Sequence, residues 1–251
     1  MTELETWYQT DNGRYLLELI KEQLAEPLDT AFGYHLAQVA VTRMHPLYDA
    51  SRVRNRVYVA AQSGAAVTLQ AESDQLPLAS DSVDVIIAHH NLEFSDNPHQ
   101  ALRELHRALT PHGHLFIIAF NPWSLTGLNA ALRARMGHRL WRHRQPLSTG
   151  RLSDWLNILG FEPQQTLQCY ALPPFGGQGM RASIKSVNKW CVSRGLPIGG
   201  LFIMHAIKQV PACINRPILR SRRGRLIGLA VPQSVSSPRA SATARKGDDT
   251  A

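Results

Sequence analysis

Apolar positions recur at two different spacings along this chain, and the two spacings alternate. After Asn12-Gly13, residues Tyr15, Leu16, Leu19, Ile20 and Leu24 repeat at helical spacing, and Pro27 is expected to end that helix. Tyr34 to Ala40, Val57 to Ala61 and Val67 to Ala71 read as three short strands. Val83 to Ala88 is a continuous apolar run of the kind found in buried parallel strands. Pro98 to Leu109 reads as a helix with Ala101, Leu102, Leu105 and Leu109 as its stripe, stopped by Thr110-Pro111-His112-Gly113. His114 to Phe120 is the next buried strand. A basic helical stretch, Leu128 to Arg142, follows, then a helix from Ser153 to Leu159 closed by Gly160-Phe161. Thr166 to Tyr170 and Leu201 to Lys208 form a candidate final strand pair. Strand, connector and strand in alternation predict an α/β fold, a mostly parallel sheet covered on both faces. Only about thirty residues separate Ala40 from Gln70, too few for two full crossover helices.

Charge changes this picture at one end only. The net charge is +8, but Arg216 to Ala251 holds seven Arg and one Lys against Asp248 and Asp249, or +6, leaving +2 for the body. The basicity therefore belongs to a tail rich in Arg, Ser, Pro and Gly, and residues 215–251 are expected to be disordered beside a domain at 1–214. Cys169, Cys191 and Cys213 lack metal-ligand or disulfide spacing, so no metal is expected. No basic start precedes an apolar run, and no apolar stretch approaches the roughly 18 residues of a membrane span, so the expected compartment is the cytoplasm.

Three pieces in order carry a resemblance. Ala71-Glu72-Ser73-Asp74-Gln75-Leu76-Pro77-Leu78 leads into Asp81-Ser82-Val83-Asp84-Val85-Ile86-Ile87. His89-His90-Asn91-Leu92-Glu93 follows that strand, and Leu102-Arg103-Glu104 begins a helix ending in Leu109-Thr110-Pro111-His112-Gly113. Together, across about residues 35 to 120, they resemble the class I S-adenosylmethionine-dependent methyltransferases of the type-11 group. The resemblance implies a Rossmann-like doubly wound sheet with S-adenosylmethionine as cofactor and a small-molecule methyl acceptor. It implies that Glu72 meets the adenine amino group, Ser73 offers a backbone N–H and Leu76 packs on the ring. It also implies that His89 and His90 line the methyl site and that Gln38 to Ala40 lies beside the methionine moiety. Asp84 would be structural.

The chain departs from that family's pattern at two places. The first strand ends in Gln38-Val39-Ala40-Val41-Thr42 with no glycine, where a glycine-rich loop is usual. A left-handed residue other than glycine costs about 1–2 kcal/mol, so either the loop is expected to take another path or the cofactor to sit differently. The second strand ends in Ala60-Ala61-Gln62 without the acid that would hold ribose hydroxyls. Hence two alternatives stay open: a non-catalytic binding or scaffold protein on this fold, and an RNA-directed methyltransferase using the basic residues. Those residues are Arg133, Arg135, Arg139, Arg142, Arg144 and Arg151 with His138 and His143, joined by the tail. Trp123 is expected to be a buried anchor, Asn121 a structural group, and Gly176-Gly177-Gln178-Gly179 a loop.

Overall fold

The computed structural model describes residues 2–124, 144–169 and 199–209, with single positions at 127, 135, 183, 184, 186–188, 190 and 194. Two N-terminal helices, α1 (Thr2–Gln9) and α2 (Asp11–Thr30), precede β1 (His35–Ala40), β2 (Asn55–Ala60), β3 (Leu69–Gln70) and β4 (Val83–His89). Then come α3 (Pro98–Ala108), β5 (Leu109–Phe120), α4 (Thr149–Ile158), β6 (Phe161–Cys169) and β7 (Leu201–Lys208). The sheet order is β3-β2-β1-β4-β5-β7-β6. Its first five strands run parallel and β7 lies antiparallel between β5 and β6. Chain direction across the sheet reverses between β1 and β4, so the crevice of an open α/β sheet falls where Ala40 pairs with His89.

Side chains alternate across the pleat and sort into two cores. Ala37, Val39, Ile86, Ala88, Leu115 and Ile117 pack with Leu102 and Leu105 of α3 and Leu152 and Leu156 of α4. Leu36, Val85, Ile87, Phe116 and Ile118 pack with Leu4 and Tyr8 of α1 and Leu16, Ile20 and Leu24 of α2. Residues 41–54 and 61–68, where the spacing left little room for two full crossover helices, contain no helix.

Several boundaries move for identifiable reasons. Pro27 does not end α2, which runs on to Thr30. A proline forfeits its own N–H bond and crowds the carbonyl one turn back, but leaves the bonds that follow it available. Here Ala31 N–H still reaches Pro27 O (3.1 Å), and Leu28 and Ala31 are fully buried. Gly13 lies inside α2, not ahead of it, because Thr10 is the N-cap. A Cβ at Gly13 would stand 2.3 Å from Trp7 O and 2.4 Å from Tyr8 Cα, so only glycine lets α1 dock there. The third strand shrinks to two residues. Thr110–Gly113 belongs to β5 as a bulge, with Val83 opposite Leu109 but Val85 opposite His114, and His112 at φ 61°.

Asp84 is structural, as expected. Its carboxylate accepts from the N–H groups of Tyr34 (2.6 Å) and His35 (3.0 Å) and from the Thr110 hydroxyl (3.2 Å), at the amino end of the sheet. Gly160 stops α4 at φ 83°. Trp123 is 86 % exposed rather than a buried anchor, while Asn121 is buried and bridges Gly199 O and Trp123 N–H. The expected boundary at 214/215, the tail, the glycine cluster 176–179, Cys191 and Cys213 lie outside the described residues. No described helix is long and apolar enough to cross a membrane.

Candidate functional site

β1 and β4 end side by side at the reversal of the sheet, so the residues just beyond Ala40 and His89 share one edge. That edge is polar although it is fully buried: His89, His90, Thr42 and Glu93 all have zero exposure. Buried polar groups persist only where they satisfy one another. Here they form a chain. Tyr58, from β2, donates its hydroxyl proton to Thr42 O (2.9 Å), and the Thr42 hydroxyl lies 3.4 Å from His89 Nδ1. His89 Nε2 is 3.1 Å from the Tyr8 hydroxyl, which is also 2.5 Å from His90 Nε2. His90 Nδ1 bonds Glu93, and Glu93 accepts from Arg144 Nε at 2.9 Å. Arg144 also donates to Phe120 O at 2.8 Å.

Tyr8 has one proton to share between two histidines, which restricts the chain to two arrangements. With His90 neutral, Thr42 donates to His89, His89 to Tyr8, Tyr8 to His90, and His90 to Glu93. In the other arrangement the bonds from His90 Nε2 back to Thr42 run the opposite way, with the Thr42 hydroxyl turned to that of Tyr58 at 3.4 Å. The hydrogen bonds from His90 Nε2 to Thr42 can thus run in either direction. Burial would raise the Glu93 pKa, but Arg144 and His90 outweigh it and hold Glu93 below its ordinary range. Burial, aided by the neighbouring His90 and His45, keeps His89 well below an ordinary histidine and hence neutral.

His90 adopts φ 55°, the left-handed region, at a non-glycine residue directly after β4. Such strain survives only where surrounding contacts fix it, and it gathers at functional sites. The fixing contacts are His90 N–H to Ile118 O (3.0 Å) and the Phe120 ring stacked on the imidazole at 4.4 Å.

Of those two alternatives, the loop after β1 takes another path. None of its residues has positive φ. Gln38 holds it from beneath: its amide donates to His45 O and accepts from Leu47 N–H, both at 2.8 Å. Ala40 packs with Tyr58 and Ala60. From above, the Glu5 carboxylate of α1 accepts from Arg43 N–H (2.9 Å), Arg43 Nε (2.8 Å) and its terminal nitrogen (2.5 Å). Thus α1 closes this edge with Tyr8 and Glu5, two residues that sequence reasoning missed. Neither lies in a motif, and only the docking of α1 brings them more than 35 positions along the chain to Arg43 and beyond.

The other expected residues lie along the loop after β3. Glu72 is exposed, Ser73 is half-buried with its hydroxyl 3.2 Å from that of Ser95, and Leu76 is buried with its N–H 3.3 Å from Glu104. The sheet edge thus carries the two histidines and the β1 loop together, and Ser73–Ser95 ties the β3 loop to the segment after β4. Among the described residues, two buried side-chain atoms have no partner: Asn91 Nδ2 and His45 Nε2. Both belong to this same edge, Asn91 next to His90 and His45 with its ring 5.2 Å from that of Tyr8. Orphaned donors and acceptors gathered at one edge fit a polar ligand there. Arg133, Arg139, Arg142, His138 and His143 lie outside the described residues, and Arg135 is exposed.

Residues 22–117 match the family described as Methyltransferase domain. The Escherichia coli (strain K12) protein YafS is 30% identical over 186 residues, which are 73% of this chain and 77% of YafS. A Thermotoga maritima protein, described as an S-adenosylmethionine-dependent methyltransferase and possible histamine N-methyltransferase, superimposes with a TM-score of 0.61 at 17% identity, covering 83% of this chain and 95% of its own. The cyclase SpnF superimposes with a TM-score of 0.53 at 16% identity, covering 79% and 81%. The fold thus accommodates a protein named for a different reaction, so it does not fix the chemistry. From the ordered motifs, the sheet order and these matches, the chain belongs to the class I S-adenosylmethionine-dependent methyltransferase family, as a relative of YafS.

Proposed function

We propose that the chain transfers a methyl group from S-adenosylmethionine to a small molecule at the carboxyl edge of β1 and β4. The observation that carries this reading is the polar character of that edge: a buried hydrogen-bonded chain, with Asn91 Nδ2 and His45 Nε2 unpartnered beside it. A purely structural edge would be apolar or self-satisfied.

Glu72, Ser73 and Leu76 would hold the adenine, with Asn91 as a further donor, while Gln38 and Ala40 support the β1 loop from below. When bound, the cofactor supplies an electrophilic methyl on a sulfonium centre, so the protein's work is positioning, desolvation and proton handling. Glu93, kept ionised by Arg144, fixes the His90 Nδ1–H tautomer. His90 Nε2 then faces Tyr8 as the base, and Tyr8 relays to it the proton that an acceptor gives up. His89 lines the same edge as a neutral group. Opening of α1 at Tyr8 and Glu5 admits ligand to the edge.

A second reading, a non-catalytic binding module, is favoured by two observations: Tyr8 already meets both histidines, and Gln38 is spent on its own loop. Calorimetric titration of S-adenosylmethionine into the protein and into Glu72→Ala separates the two. Binding that weakens about tenfold in the variant, roughly 1.4 kcal/mol, upholds the methyltransferase reading. Absence of heat in both folded proteins turns the conclusion to the binding module.

A further inference from the structure

The loop after β1 reaches the crevice without the glycines that let a backbone come close to a cofactor. Gln38, the polar side chain expected at the methionine moiety, is taken up by its own loop: it donates to His45 O and accepts from Leu47 N–H, both at 2.8 Å. These two bonds bracket Pro46, whose ring fixes its own φ and restricts the residue before it. The backbone of His45 is therefore pinned on its carboxyl side. Its imidazole centre lies 5.2 Å from the ring of Tyr8, whose hydroxyl meets both His89 and His90.

His45 Nε2 is buried and has no hydrogen-bond partner. Its polar neighbours are paired: Glu5 takes three bonds from Arg43, and Tyr8 takes up His89 and His90. A buried nitrogen left unpaired destabilises the fold, so a ligand that supplies the partner gains what the free protein lacks. The surrounding charges select the ligand atom. Burial, against the pull of Glu5, holds His45 below an ordinary histidine, so its ring is neutral and has one N–H to give. The loop from Val41 to Tyr48 carries the cation Arg43 and no carboxylate, and Glu5, packed against it, is already bonded to Arg43. An anionic oxygen fits such a donor on such a loop.

We infer that His45 Nε2 donates a hydrogen bond to the carboxylate at the methionine end of the cofactor, and that this one side chain stands in for the missing close backbone approach. The inference rests on the methyltransferase reading for the identity of the ligand. It gives the site a contact at the end opposite the adenine, from the loop after β1, where Glu72, Ser73 and Leu76 would hold the other end from the loop after β3.

The test uses the full chain and two probes that differ in one group: S-adenosylhomocysteine, the thioether left when the methyl departs, and its decarboxylated analogue, which keeps the adenosine, the sulfur and the amine. Binding is measured by calorimetry in the unaltered chain, in His45→Phe, which keeps a ring against Tyr8, and in His45→Gln, which keeps a donor. The unaltered chain should bind the carboxylate-bearing probe about tenfold tighter or more, as a hydrogen bond to a charged group provides. His45→Phe should erase that preference by weakening S-adenosylhomocysteine alone, and His45→Gln should restore most of it. A preference that persists in folded His45→Phe, or an equal loss for both probes, overturns the inference and leaves the methyltransferase reading standing. So does equal binding of the two probes by the unaltered chain, a result that needs no variant to fold. Binding of neither probe to the unaltered chain overturns the methyltransferase reading and this assignment together.

Discussion

Arg144 Nε lies 2.9 Å from Glu93 Oε2, and both side chains are almost wholly removed from solvent, at 6 % and 0 % exposure. This pair has no water to share its charge with, so each member depends on the other. Glu93 in turn orients His90 from the opposite side, which makes Arg144 the outer anchor of the whole buried chain.

Replacing Arg144 with methionine should therefore leave a buried carboxylate without its arginine partner and cost about 3–5 kcal/mol. Urea unfolding followed by circular dichroism measures it. Adding Glu93→Gln to the same chain should recover part of the loss, because the double variant has no lone charge. A loss under about 1 kcal/mol for the single variant would mean that Glu93 is hydrated.

Tyr8→Phe removes one oxygen and deprives two imidazoles of a partner at once. A destabilisation of about 1–3 kcal/mol is expected for such a buried deletion. If the proposed relay operates, turnover should fall further than cofactor affinity, and the ratio of the two losses is the informative quantity. Equal losses would reduce Tyr8 to a packing residue.

Gly13→Ala tests whether α1 is held as closely as the distances indicate. The new Cβ would meet backbone atoms that cannot rotate away. Overpacking of this kind costs about 1–3 kcal/mol, and here α1 must lift to relieve it. The Trp7 ring, which meets Phe120 edge-on at 5.9 Å, should then lose its near-ultraviolet circular dichroism signal. An unchanged spectrum and melting temperature would contradict the close crossing of α1 and α2.

Acid should destabilise the protein before its carboxylates titrate. Burial, with His90 and His45 nearby, depresses the His89 pKa in the folded state well below its ordinary 6.5, so below that pH the unfolded chain binds a proton that the folded chain refuses. Stability is then complete above pH 6.5 and falls as the pH drops, by up to about 1.4 kcal/mol per pH unit for this one group. Burial and its neighbour His114 lower His205 to about 4, so it acts in the same direction over the window from 6.5 to about 4. Glu5, held below its ordinary 4.5 chiefly by its bonds to Arg43, adds a further loss only below that value. Urea midpoints between pH 7.5 and 5 should decline steadily, and His205→Gln should flatten the decline. A flat profile above pH 5 would show that these histidines bind protons while folded.

Local signals were sufficient for most of the fold. The apolar runs of β4 and of the second half of β5 have no stable place except inside a sheet, the stripe of α3 fits one face only, and the interval from Ala40 to Gln70 is too short for crossover helices. The absence of glycine after β1 also had a local consequence, a loop without left-handed residues. Where a boundary moved, a distant contact had overridden a local preference: burial of Leu28 and Ala31 carried α2 past Pro27, and pairing with β4 drew Thr110–Gly113 into β5.

The sequence by itself determined the order of the main elements from α2 onward, the family, and the places of Glu72 after β3 and of His89 and His90 at the end of β4, because hydrophobic spacing and contiguous motifs are properties of adjacent residues. Only the tertiary structure decided what those histidines touch. Tyr8 and His90 stand 82 positions apart, and Glu93 and Arg144 stand 51 apart. No periodicity encodes such pairings. They arise because burial leaves each polar atom the choice of a distant partner or a desolvation cost of a few kcal/mol, and the chain folds so that the partner is there.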